Sequence, residues 1–275
     1  MTRLRAIFLA PSSALMLLLF FIPLAIVCAY SLLSRGPYGG VMHPFTLENY
    51  RRIVDPLYAN ILWRSAWIAL VSTGACLVLG FPLALYIARF SSRKVLLLNL
   101  VMLPFWTSFL IRLYAWMFLL RDTGLMNSVL LGLHIVRQPL PMLFNPGAVI
   151  LGLVYGYLPF MVLPLYATLE KLDPTLLDAA GDLGASPWRV LCRVIIPLTR
   201  PGIIAGCTLV FIPCLGAYLT PDLMGGGKTV MLGNLVQNQF TTSRDWPFGA
   251  AVSLLLMLLV LIAIKALGRR GEDLV

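Results

Sequence analysis

The sequence predicts an all-α integral membrane protein that crosses the bilayer six times, and three observations carry that reading. Charged residues make up only 12% of the chain, about half the share usual in a soluble domain, and mean hydropathy is +0.89. The charges are bunched, which leaves charge-free apolar stretches over 6–34, 65–88, 95–111, 138–169, 201–221 and 246–264. Between the fourth and fifth stretches lies a polar segment, 173–197, with Pro, Gly, Ser and Asp at helix-start and helix-stop positions.

A spanning helix needs about 20 mostly apolar residues. Five stretches reach that length, and 95–111 does so if it continues past Arg112 to Leu120. The first has the basic start of a signal peptide, Arg3 and Arg5. Its apolar run exceeds the about 7–15 residues of a signal core, and no small-x-small cleavage site follows. Ile26-Val27 before Cys28 is a poor lipoprotein context, so the stretch reads as an uncleaved first helix. Pro23, Pro82, Pro104, Pro159, Pro164 and Pro213 interrupt the spans. Each removes a backbone donor and kinks its helix, which is tolerated where the freed groups are buried in protein or line a wet cavity. Gly152 with Gly156, and Gly202 with Gly206, permit close helix approach; packing alone explains them.

Orientation follows from the cations. With the N-terminus inside, the inner segments hold Arg3 and Arg5; Arg89, Arg93 and Lys94; Lys171, Arg189, Arg193 and Arg200; and Lys265, Arg269 and Arg270. The outer segments hold Arg35, Arg51, Arg52, Arg121, Arg137, Lys228 and Arg244, spread over longer loops. The positive-inside rule therefore places both termini on the cytoplasmic side. The first outer segment contains Pro37-Tyr38-Gly39-Gly40, and Thr46 with Asn49-Tyr50 predicts a short interfacial helix. The last has Gly225-Gly226-Gly227 as a flexible turn, followed by 230–240, apolar enough to dip back toward the membrane. These segments read either as a dock for a soluble binding protein or as plain connectors.

Several function classes drop out. The net charge of +10 comes with cations banked at the inner interface, where anionic lipid attracts them, and no basic-aromatic stripe addresses nucleic acid. Cys28, Cys76, Cys207 and Cys214 lie in apolar helices and Cys192 in the inner loop, which is no disulfide framework. His43 and His134 have no metal-ligand spacing. Gly225-Gly226-Gly227-Lys228 lacks the spacing of a phosphate loop. A membrane enzyme would need a buried catalytic pair, and Arg112 is the one ionisable group well inside a span. No catalytic residue is assigned.

The polar segment is the richest in information. Asp173 caps a helix starting at Pro174, because proline lacks the donor that position would leave unpaired. Gly184 stops that helix in a left-handed turn, Ser186-Pro187 starts another, and Pro197 ends it. The pattern resembles the EAA motif of ABC-transporter permeases: Glu-Ala-Ala, three residues, Gly, nine residues, then Ile-x-Leu-Pro. Here Asp178 stands for the Glu, Val194 for the Ile and Ile196 for the Leu, while Ala179, Ala180, Gly184 and Pro197 match. The resemblance implies a coupling helix that docks into a separate ATPase, with Asp178, Ala179, Ala180, Gly184 and Pro197 as its residues. An ATP-independent carrier would not need such a loop.

The likeness extends over roughly 45–264. Leu103-Pro104-Phe105-Trp106-Thr107-Ser108-Phe109-Leu110-Ile111-Arg112-Leu113-Tyr114-Ala115-Trp116 is similar to the third helix of permeases for spermidine and putrescine. So are 158–166 with 169–174, 215–226, 238–240 and 245–249. This resemblance implies a type I importer (MetI-like) permease fold: one of two side-by-side permease subunits, with two ATPases inside and a binding protein outside. Opines and aminoethylphosphonate are alternative cargoes of the same group. The chain itself would hold no cofactor, ATP and Mg being bound by the partner ATPase. Its expected organisation is an N-terminal helix and first periplasmic segment (1–60), a permease core of five helices (61–268) containing the coupling loop 171–200, and a cytoplasmic tail (269–275).

Candidate pathway residues are Trp106, Arg112, Tyr114, Tyr218 and Asp222. Arg112 would cost about 2.5–3.5 kcal/mol at the bilayer centre, so it faces the bundle interior or snorkels toward the outer interface. Trp106, Tyr114 and Trp116 with Tyr155, Tyr157 and Tyr218 offer faces for an amine, each cation–π contact being worth about 0.5–2 kcal/mol. Trp116 reads more readily as part of an interfacial belt. Asp222 pairs with an ammonium group or caps the turn before the glycines.

Overall fold

The computed structural model describes residues 2–272, without side-chain placement for 1–10, 12 and 266–272. Arg3, Arg5, Arg269, Arg270 and the side chains of the expected tail 269–275 lie outside the described residues. In order, the elements are α1 (Thr2–Ser31), a hairpin of β1 (Leu33–Arg35) and β2 (Val41–Phe45), α2 (Glu48–Ile53), α3 (Pro56–Arg89) and α4 (Lys94–Met102). Next come a 3₁₀ turn (Leu103–Trp106), α5 (Phe109–Leu120), α6 (Leu125–Gly132), α7 (Pro146–Glu170), α8 (Pro174–Asp182) and α9 (Pro187–Val190). A π-turn (Leu191–Ile195), α10 (Ile196–Leu198), α11 (Arg200–Leu215), α12 (Leu219–Gly225), α13 (Leu232–Phe240) and α14 (Trp246–Glu272) complete the chain. Among the described residues, the short hairpin is the one departure from an all-helical reading.

One device starts three of these helices. Asp55, Asn145 and Asp173 each precede a proline at the first helical position, and each side chain accepts a backbone N–H one turn in. The donors are Leu57 at 2.9 Å, Ala148 at 2.9 Å and Thr175 at 3.0 Å. The carboxylate or amide satisfies an otherwise orphan donor, and proline supplies a preset φ where no N–H is needed.

Among the described residues, four helices are continuous and apolar enough to span: 13–31 of α1, α3, α7 and 246–265 of α14. Two more spans are broken pairs. Lys94–Trp106 and Phe109–Gly132 meet at 88°, and Pro187–Leu198 meets Arg200–Leu215 at 68°. Counting each pair once gives six spans. The stretch expected to run as one helix from 95 to 120 is therefore bent. Pro104 withholds a donor, Thr107 is extended (ψ 150°), and the Thr107 hydroxyl donates back to the Pro104 carbonyl at 2.8 Å. The stretch 201–221 is also not one helix: α11 stops at Leu215, Gly216 caps it, and α12 starts separately at Leu219.

Contacts divide the chain into two compact units, 1–60 with 235–259 and 61–234 with 260–275. The first is tied by several polar bonds. The Asn49 amide donates to the carbonyls of Ser31 and Leu33 at 3.0 and 2.9 Å. Arg35 donates to the Ser243 carbonyl at 2.8 Å. Arg52 pairs with the buried Asp245 carboxylate at 2.9 Å and lies 4.1 Å over the Phe248 ring. Asp245 in turn accepts the Phe248 N–H, capping α14.

In the second unit, α7 is the centre and glycines set the spacing. A Cβ on Gly202 of α11 would lie 2.8 Å from the Pro164 carbonyl, and one on Gly206 would lie 2.7 Å from the Met161 sulfur. On another face of α7, a Cβ on Gly152 would meet the Met224 sulfur of α12 at 2.6 Å. Both Gly-x-x-x-Gly pairs are thus contact surfaces, where small residues let backbones approach and van der Waals packing replace a hydrophobic drive absent in lipid. α1 shows the opposite composition: Leu15 through Ile22 are exposed on every side, as a helix facing hydrocarbon can be.

Candidate functional site

The 173–199 segment is built by local chemistry. Asp173 caps α8, and its carboxyl is held below the usual carboxylate range, chiefly by the Thr175 backbone N–H, then by the Thr175 side chain, with Arg89 nearby adding to it. α8 ends in a Schellman motif. Gly184 sits at φ 77°, its N–H reaches the Gly181 carbonyl at 2.8 Å, and Ala185 N–H reaches the Ala180 carbonyl at 3.0 Å. Nothing lies within 4 Å of where a Gly184 Cβ would be, so it is the backbone angle that requires glycine. Pro187 then opens α9 as expected.

Pro197 does not end this helix. The rod continues to Leu198 through the π-turn, in which Ile196 N–H bonds to the Leu191 carbonyl. The wide turn has already loosened the ladder, so a residue without a donor is accommodated one step before the end. The stop falls at Thr199, whose hydroxyl donates to the Ile195 carbonyl at 2.8 Å, followed by Pro201.

Asp178 and Ala179 are exposed and Ala180 is half-buried. Large apolar side chains stand beside them in water-accessible positions: Leu183 is 89% exposed, Trp188 71% and Leu176 48%. Sequence reasoning passed over these three residues. The signal was present, since a bulky apolar residue in an otherwise polar hairpin needs a reason, but the motif drew attention to its small residues.

The pathway candidates are scattered over the second unit. Trp106 (73% exposed) stands at the break before α5, and Tyr114 and Tyr218 are also exposed. No ring contact joins these three among the described residues. Trp116 instead meets Tyr155 edge-on at 5.5 Å. Arg112 is turned inward: Nε and Nη1 are buried without a hydrogen-bond partner, and the guanidinium carbon lies 5.4 Å from the Phe109 ring centroid. Asp222 does not cap the glycine turn. It is exposed in the first turn of α12, makes no side-chain hydrogen bond or ion pair among the described residues, and leaves Gly226 (φ 58°) to terminate that helix. The first helical turn favours a carboxylate electrostatically, without any cap.

A bundle of glycine-spaced, broken spans and a capped, exposed helical hairpin is the architecture of a transport permease. Residues 77–270 match the family described as binding-protein-dependent transport system inner membrane component, and the chain belongs to that family. It is 48% identical over 246 residues to the spermidine/putrescine transport system permease protein PotB of Escherichia coli (strain K12), covering 89% of this chain and 90% of that one. It is 45% identical to the protein of the same name from Haemophilus influenzae, covering 93% of each. Among solved structures, a bacterial alginate ABC transporter in complex with an alginate pentasaccharide-bound periplasmic protein contains a chain with a TM-score of 0.77 at 16% identity. That alignment covers 98% of this chain and 94% of the other, which is a likeness of fold.

Proposed function

We propose that this chain forms half of the translocation pathway of an ATP-driven importer for polyamines of the spermidine and putrescine class. A second permease subunit supplies the other half, and a substrate-binding protein outside the membrane delivers the cargo. The cargo assignment rests on identity to permeases named for it, 48% across nearly the whole chain. Both termini and the 173–199 loop lie on the cytoplasmic side, where the loop enters a groove on a separate ATPase that binds ATP and Mg. The observation that carries the coupling role is the exposed apolar set Leu176, Leu183 and Trp188 around Asp178-Ala179-Ala180. Water-exposed aromatic and aliphatic anchors of this kind gain most when buried in a partner's pocket.

Trp106, Tyr114 and Tyr218 offer cation-facing rings and Asp222 a free carboxylate, a set of weak contacts that lets a polyamine leave as readily as it enters. Arg112 has no role toward a polycation, and its inward turn keeps its charge from the path. The test is uptake of radiolabelled spermidine, putrescine and aminoethylphosphonate by vesicles holding the assembled transporter. Spermidine uptake should fall in Asp222→Asn and persist in Arg112→Gln. Wild-type uptake of the phosphonate alone, abolished in Arg112→Gln, would reverse the cargo assignment.

A further inference from the structure

We propose that Arg89 is the positioning residue through which movement of the 173–199 loop reaches the membrane helices; this rests on the reading that the loop couples to an ATPase. The C-terminal end of α7 has unpaired carbonyls, as every helix end does. The carbonyl of Leu172, two residues beyond α7, is taken by Nη2 of Arg89 in the last turn of α3. Leu172 is buried, and its neighbour Asp173 is the cap of α8. Lys94, at the start of α4, grips the last residue of α7 from the same side. Its Nζ lies 3.0 and 3.1 Å from the two carboxylate oxygens of Glu170. The turn between α3 and α4 thus holds 170–172 with two cations, where the α7 dipole also favours positive charge.

From Asp173 onward the segment is different. Every residue from 173 to 176 is exposed, and the cap of α8 is internal to its own helix. A push on α8 therefore meets its first fixed point at Leu172, and through Arg89 that point is fastened to α3. The Lys94–Glu170 pair is about one-third exposed on both sides, so water screens it and it steadies rather than transmits. Arg89 is half-buried and bonds a backbone carbonyl, a charge-assisted contact that does not depend on a mobile partner.

The experiment uses the complete transporter in vesicles and reads ATP hydrolysed per spermidine taken up, normalised to assembled complex. Losing a charge-assisted bond should raise that ratio about tenfold in Arg89→Ala, with hydrolysis itself retained. Arg89→Lys, which keeps charge and donor, should return to within about twofold of wild type. A purely structural role would lower both activities together and leave the ratio unchanged, which overturns the proposal. If Arg89→Ala fails to assemble, Arg89→Gln decides by the same ratio. Ala179→Trp, too large for a groove, tests the underlying reading in parallel. If it loses the ATPase while Arg89→Ala keeps a wild-type ratio, the loop couples but Arg89 is not its pivot. If it keeps both the ATPase and uptake, the coupling reading itself falls.

Discussion

The hairpin segment 33–55 and the 173–199 loop are both polar interruptions of an apolar chain, and they are held together in opposite ways. The hairpin segment closes its own accounts: Asn49 is buried with both amide donors used, and Arg52 reaches a buried carboxylate 193 residues away. The 173–199 loop satisfies its backbone through caps and turns, yet leaves Leu183 and Trp188 in the open. A region finished within the chain should fail by unfolding when cut. A region finished by a partner should fail by losing the partner.

The largest expected effect tests the first half of that contrast. Asp245→Ala leaves Arg52 over Phe248 without its carboxylate and removes the α14 cap. Breaking one side of a buried pair costs about 3–5 kcal/mol, and the partial exposure of Arg52 places this near the lower end. The thermal transition of detergent-solubilised protein should drop sharply, and whatever folds should retain its ATPase. Unchanged melting would mean the hairpin segment is not self-sufficient.

The converse is Trp188→Asp. The side chain touches little in its own chain, so melting should be unaltered. Losing a central aromatic anchor costs at least about 2 kcal/mol of binding, so copurification of the ATPase should fall about thirtyfold. Retention of the ATPase would show that the exposed ring serves something else. Next in size is Gly184→Val, for which no neighbour stands in the way and only the positive φ resists. The strain is about 1–3 kcal/mol. Far-ultraviolet circular dichroism should stay constant while ATP-driven uptake declines; full uptake would show that the turn angle does not matter to coupling.

These two regions also mark where the sequence was legible. Asp173-Pro174 and Gly184 were readable because each acts on backbone groups within a few residues, and the structure places them as the local chemistry requires. The partnership of Arg52 with Asp245 was not, since nothing within either neighbourhood encodes a contact at that separation. Counting uncharged residues gave the number of crossings, but composition is blind to direction. Pro104 marked a kink but not its 88° size, and the apolar count ran α11 six residues too far. The hairpin went unread as well: Pro44 lies within β2 and has no N–H to give, which a two-stranded ribbon tolerates. Of the candidate site, the 173–199 loop was marked by spacing, while Arg112 and Asp222 were marked only by being charged in apolar company. Their surroundings, buried and unpartnered in one case and open in the other, depend on how α5 and α12 lie against α7.

The smallest effect separates a cap from a clamp. Asp173→Ala removes the acceptor for Thr175 N–H and should loosen the first turn of α8, leaving the Arg89 contact to Leu172 in place. Because the folded carboxyl sits below its ordinary value, the cap's contribution is present at and above the ordinary aspartate range. It is lost as pH falls from there through the depressed folded value. Amide exchange across 174–182 should therefore be faster in Asp173→Ala than in wild type at neutral pH, and the two should converge in acid below about pH 4. Exchange across 165–170, behind the clamp, should be the same in both proteins. If protection of α7's last turn also falls at neutral pH, the cap and the clamp are one unit and the loop is less independent than the contrast with the hairpin segment requires.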